Sequence, residues 1–100
     1  MAAKVNLKTV RNAVSKHEAF NCNGTLTGDW AFRKPLTGRM HPDSVKEFDG
    51  MFLNNDETFI IKSYDTPIAA WNKTYGWWIS ADKHSVTTSR HQSAIRAGIN

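Results

Sequence analysis

The stretch ETFIIKSYDTPIAAWNKTYGWWISADKHSVTTSRHQ, Glu57 to Gln92, holds three of the four tryptophans and the densest apolar runs, so the remaining residues are expected to pack onto it. It opens with Thr58 to Tyr64, rich in residues that suit a pleated surface, and Phe59-Ile60-Ile61 run together as in a strand buried on both faces. Asp65-Thr66-Pro67 predicts a tight connection, because proline fixes its own φ and biases the preceding residue toward extended backbone. Ile68 to Trp71 is the next strand, Asn72 to Gly76 a hairpin loop, and Trp77-Trp78-Ile79 a third strand whose side chains point to opposite faces. One of those two tryptophans therefore faces away from the first core, and a helix covering it is the favoured arrangement. His84 to Thr87 reads as a short fourth strand. Ser89-Arg90-His91-Gln92 has the spacing of a capping box, so a helix is expected over 89–99, burying Ala94, Ile95 and Ile99.

Upstream, Leu7, Val10, Ala13 and Val14 fall on one face of a helix predicted from Asn6, its cap, to His17. Glu18 to Gly24 ends it with asparagine and glycine turn formers, and Phe20 folds back onto the core. Residues 25–33 alternate with the period of a half-buried strand, in which Gly28 marks a bulge. Residues 34–56 are irregular or contain a short helix from Asp43 or Ser44 through Phe48, since a structureless linker of that length is unusual in a compact domain. Asn23-Gly24-Thr25 and Asn72-Lys73-Thr74 match the glycosylation sequon and read as turns. The expected fold is α+β: a small antiparallel β-meander of three to five strands, with an N-terminal and a C-terminal helix packed on it, as one domain over 1–100.

Composition bounds the rest. A chain of 100 residues with 40% hydrophobic and 22% charged residues suits one modest core. A lone cysteine, Cys22, makes no internal disulfide, and Met1 to Val10 lacks the apolar run of a signal peptide, which points to a reducing cytoplasm. No apolar run nears the roughly 18 residues of a membrane span, so no membrane partner is expected. The formal charge of +4 is uneven. Residues 1–41 carry seven Lys/Arg against two acids, 42–65 two against six, and 66–100 four against one. Basic ends around an acidic middle imply either an anionic partner or charge matching within the fold.

Three runs carry a resemblance: Tyr64-Asp65-Thr66-Pro67-Ile68-Ala69-Ala70-Trp71, Gly76-Trp77-Trp78, and Ser85-Val86-Thr87-Thr88-Ser89-Arg90-His91-Gln92. They resemble the signature of a family of small uncharacterised proteins from phages of mycobacteria and other actinobacteria. That signature joins a Tyr-x-Thr-Pro-Ile-Ala run, a tryptophan hairpin and a Ser-Val-Thr-Thr-Ser-Lys/Arg-His-Gln helix start. His17-Glu18-Ala19-Phe20-Asn21 after the first helix is similar to members too. Asp65 stands where the family more often has asparagine, and Ala70 where a larger residue is common. The resemblance implies a phage or prophage origin and a host-cell cytoplasm. It implies no activity, because the family has none assigned.

The residues themselves specify no reaction. His17, His41, His84 and His91 are dispersed, with no metal-ligand spacing, and Cys22 has no activating neighbour in sequence. Neither a catalytic group nor a cofactor or metal site is expected. The polar run Thr87 to Gln92 is either a helix cap or an anion site in which Arg90 and free helix amides hold a phosphate or an acidic side chain. Two binding readings follow. In the first the chain is a non-enzymatic module that engages a host or phage protein through Trp77, Trp78, Arg90 and His91. In the second it binds nucleic acid, with Lys8, Arg11, Lys16, Arg33, Lys34 and Arg39 on phosphates and Trp30 or a meander tryptophan stacking on bases. No helix-turn-helix, zinc-finger or RNA-binding signature supports the second. An exposed strand edge also leaves a homodimer open.

Overall fold

The structure is a computed structural model that describes residues 3–6, 9–22, 24–33, 35, 38, 40–80 and 86–99, with side chains for all of these but 3, 86–90 and 97. The elements in chain order are β1 (Ala3–Lys4), α1 (Val10–Ser15), β2 (Phe20–Cys22), β3 (Leu26–Ala31), α2 (Pro42–Gly50), β4 (Thr58–Ser63), β5 (Thr66–Asn72), β6 (Gly76–Ile79) and α3 (Val86–Ile99). The strands form one sheet in sequence order. β2 to β6 are antiparallel throughout, and the two residues of β1 add a parallel edge to β2. The fold is therefore α+β, an open antiparallel sheet flanked by an N-terminal and a C-terminal helix.

Helices cover both faces of the sheet, and β4 explains why. Phe59 and Ile61 join Val10, Val14, Leu26 and Ile95 in the core under α1 and α3, while Ile60 points the other way, into a second core with Phe48, Met51 and Trp78 under α2. Each fully buried Phe or Ile contributes about 1.5–3 kcal/mol relative to exposure. The same alternation divides the tryptophan pair: Trp77 packs against the first core and Trp78 belongs to the second. The helix that covers Trp78 is α2, with the Phe48 ring 5.2 Å from it.

β5 carries the sheet's irregularity. Ile61 pairs with Ala69 but Lys62 with Pro67, so Ile68 is an extra residue on β5 and stands on the same core face as Ala69. Pro67 sits beside this bulge, ahead of Ala69, where pairing with β6 starts, so its missing N–H costs no ladder bond there. The turn before it is Tyr64-Asp65, with Tyr64 at φ 55°, rather than Asp65-Thr66-Pro67, because Thr66 already pairs with Ser63.

The bulge expected at Gly28 does not occur. Gly28 pairs regularly with Phe20 and Ile61, and it is glycine for space: a Cβ there would lie 2.4 Å from the Phe20 ring and 2.9 Å from that of Phe59. β3 ends at Ala31, leaving Phe32 and Arg33 exposed beyond it. Phe20 lies in a strand of its own, β2, where turn residues had suggested only a loop.

The helix ends follow local chemistry. The Asn6 side chain accepts from the Thr9 amide (3.0 Å) and the Thr9 hydroxyl accepts from the Asn6 amide (3.2 Å), a reciprocal cap ahead of α1. α1 stops two residues after Ser15 on His17, in left-handed backbone at φ 52°. The Glu18 amide donates to Ala13 and the His17 amide to Val14, the bond pair of a left-handed helix stop usually built on glycine. α2 begins at Pro42 in its first turn, with Nδ1 of His41 accepting from the Asp43 amide, so His41 rather than Asp43 or Ser44 is the cap.

α3 begins at Val86, three residues before Ser89. Val86 and Thr87, expected in a fourth strand, are helical, and His84 and Ser85 lie outside the described residues. Ser89 and Gln92 consequently form no capping box; the Gln92 amide instead donates to the Ser80 carbonyl at 3.3 Å. α3 crosses α1 at Gly98, where a Cβ would come within 2.6 Å of the Arg11 carbonyl oxygen.

Candidate functional site

Antiparallel register places four aromatic residues in one row across four strands. Trp30 pairs with Phe59, Phe59 with Trp71, and Trp71 with Trp77. The row belongs to the face under α1, and His17, the residue that stops α1, lies over it. The imidazole stacks on Trp71 with centroids 3.9 Å apart and planes 17° from parallel, and stands 5.5 Å from Trp77, 6.2 Å from Phe59 and 6.5 Å from Trp30. Its carbonyl accepts the indole N–H of Trp30 at 2.9 Å, which satisfies that donor. Burial among the rings pushes the His17 pKa below its ordinary value of 6.5, so the imidazole is neutral at pH 7.

This end of the sheet opens into a recess of about 420 Å³, lined by Trp30, Phe32, Asn55, Asp56, Glu57, Trp71 and Lys73. Phe32 is 65% exposed, Leu53 74% and Tyr75 47%; all three sit in the connections that meet there, after β3, before β4 and between β5 and β6. Tyr64, also exposed, is in the β4–β5 turn at the other end. Asn72 holds the connections together. Wholly buried, it donates to the Met51 carbonyl (2.7 Å) and the Thr58 hydroxyl (3.3 Å), and accepts from the amides of Thr74 (3.1 Å) and Tyr75 (2.8 Å). The Thr74 hydroxyl donates to the Asp56 carboxylate, which ties the hairpin to the loop before β4. Asn72 is thus a structural pin, withdrawn from any glycosylating enzyme.

A second recess of about 360 Å³ lies along β2, β3 and β4, where Asn21, Thr27, Asp29 and Lys62 mix with Pro35 and Ile60. The Asp29 carboxylate accepts from the Trp30 amide at 2.8 Å.

Among the residues that sequence singled out, Trp77 belongs to the aromatic row, half-buried beneath His17. Trp78 lies in the second core, 9% exposed, and its indole N–H has no partner among the described residues. His91 is equally withdrawn. It faces the sheet, and its Nδ1 lies 2.8 Å from the Ser63 hydroxyl, each residue 2% exposed. That spacing matches a nucleophile with its base, in a pair that is buried rather than open to the surface. Desolvation lowers the His91 pKa and keeps the ring neutral. The Arg90 side chain lies outside the described residues. Cys22 is buried, and burial raises its thiol pKa, which leaves it a core side chain.

Of the basic residues, Arg11 and Lys16 are exposed on and just after α1 and Arg33 beyond β3, whereas Lys8, Lys34 and Arg39 lie outside the described residues. Trp30, a candidate for base stacking, shares its recess with two carboxylates. Sequence pattern missed Phe32, Trp71 and His17 as members of one surface: the alternation over 25–33 runs on past Ala31, where the pairing of β3 ends and Phe32 becomes exposed.

Among the described residues no helix is long and apolar enough to cross a membrane, and no group of His, Cys, Asp or Glu is placed to hold a metal ion. No curated protein and no solved structure matches the chain. A family profile does, over residues 8–98: the chain belongs to a family of unknown function, DUF8033.

Proposed function

We propose that this domain is a non-catalytic binding module that engages a protein partner through the aromatic end of its sheet. The observation that carries the reading is a recess walled by Trp30 and Trp71 and edged by exposed Phe32, at the end of the sheet whose connections also expose Leu53 and Tyr75. Exposed apolar side chains grouped in this way suit a partner surface, and anchors of this kind dominate interface energies. The resemblance to small phage proteins directs the search for the partner to host-cell or phage proteins in the cytoplasm. The nucleic-acid reading is weaker, because Asp56 and Glu57 oppose phosphate at the stacking surface.

The test is affinity capture by the tagged protein from host extract with and without nuclease, comparing wild type with Phe32→Ser and Tyr75→Ser. A protein retained by wild type and lost from both variants supports the reading. Retention of nucleic acid alone, released by moderate salt and indifferent to Phe32→Ser, sinks it.

A further inference from the structure

We infer that the recess between Trp30, Phe32 and Trp71 takes a cationic side chain, an arginine or lysine presented by a basic segment of the partner. This rests on the reading of the domain as a protein-binding module and names the chemistry it recognises.

The walls are aromatic and held in place. Trp30 and Trp71 meet edge to face, centroids 6.0 Å apart at 90°, so their indole planes stand at right angles. The His17 stack fixes Trp71, and the bond to the His17 carbonyl fixes Trp30. A guanidinium or ammonium over such a ring is attracted by the negative π face, and arginine can lie flat on it while directing its N–H fork elsewhere.

The remaining lining supplies the target for that fork. Among the described residues that line the recess, Asp56 and Glu57 stand against one cation, Lys73, and no ion pair joins Lys73 to either. Asp56 is oriented by the Thr74 hydroxyl and keeps acceptor capacity, since an ionised carboxylate has about four lone-pair sites. Glu57 is exposed. Its carboxylate meets an incoming cation at the mouth of the recess without first breaking an internal bond. An apolar segment alone would leave the two carboxylates to be desolvated without compensation, and an acidic one would be repelled. His17, neutral at pH 7, puts no positive charge of its own against the Trp71 ring.

The experiment titrates the full chain with a short glycine-arginine peptide, following tryptophan emission and amide chemical shifts. The same peptide with citrulline for arginine and a glycine-glutamate peptide serve as comparisons. The arginine peptide should bind saturably and shift resonances of Trp30, Phe32 and Trp71, while the other two do not. Glu57→Gln and Phe32→Ala should each weaken it by roughly three- to tenfold, and Lys73→Glu should strengthen it by a similar factor. All three substitutions are at exposed positions, so loss of fold does not mimic the result.

Equal binding of the citrulline peptide, no saturable binding of the arginine peptide, or indifference to Glu57→Gln and Lys73→Glu overturns the inference. The two proposals fail separately. A partner captured in a Phe32-dependent manner but unaffected by Glu57→Gln leaves the module reading standing and removes the cation.

Discussion

His17 and Trp71 stack face to face, their ring centroids 3.9 Å apart, although His17 occupies the left-handed position at the end of α1 where glycine is the usual occupant. One residue thus stops a helix and roofs a row of aromatic side chains. The backbone strain of a side chain at positive φ is offset by the stack and by the bond its carbonyl accepts from Trp30.

Replacement of His17 separates these two roles. His17→Ala keeps the strained backbone and loses the stack, and should lower stability by about 1–2 kcal/mol. His17→Gly also loses the stack but relieves the backbone, and should recover about 1 kcal/mol relative to alanine. Urea midpoints of the two variants decide it; a glycine variant less stable than the alanine one contradicts the account.

Asn72 is the most heavily committed polar side chain at the open end. Asn72→Ala leaves the Met51 carbonyl and two hairpin amides without partners and should cost about 2–4 kcal/mol. Asn72→Asp keeps the acceptor but cannot donate to Met51, and places a charge in a fully buried site. Both should lower the urea midpoint at neutral pH, the aspartate variant at least as much.

Two helical glycines give opposite expectations. Gly98→Ala drives a methyl group toward the Arg11 backbone, which cannot rotate away, and should lower the thermal midpoint by forcing α1 and α3 apart at about 1–3 kcal/mol. Gly50→Ala meets nothing within 4 Å and should raise stability by about 0.5–1 kcal/mol. Calorimetry on both variants checks the pair.

Acid should destabilise the fold through its two enclosed histidines. His17 and His91 both titrate below 6.5 when folded, because burial disfavours the imidazolium. The unfolded chain therefore binds more protons once the pH falls below about 6.5, so stability is level above that value and declines as pH drops through the folded pKa values. Urea titrations between about pH 8 and pH 5 should show the decline, and His91→Gln should make it shallower. A midpoint that does not move across that range is the contrary result.

Much of the sheet is readable along the chain because it rests on local pattern. Phe59-Ile60-Ile61 declares a strand covered on both faces, and Trp77-Trp78 requires a core on each side of β6. α2 is foreshadowed by Val45 and Phe48. What pattern hides is what depends on distant partners. β1 is two residues long and exists only because β2 lies beside it. Val86 and Thr87 are β-branched and read as strand, yet they open α3, whose later turns bury Ile95 and His91 against the sheet. The row from Trp30 to Trp77 depends on pairings across the whole sheet, with the extra residue at Ile68 absorbed just beyond it, and no spacing along the chain expresses that.

The order of the strands bears on how the chain assembles. Because sheet order is sequence order, β4, β5 and β6 can zip as successive hairpins with short loops to close, the least demanding kind of search. The pairing of β3 with β4 closes a longer loop that carries α2, so the second core forms from residues that stay near one another along the chain. The first core is different: α1 packs against α3, from the opposite end of the element order, across Gly98 and Arg11. Until α3 emerges from the ribosome the chain would hold a nearly complete sheet whose first core still lacks Ile95. A helix made after the described strands of the sheet therefore closes the first core.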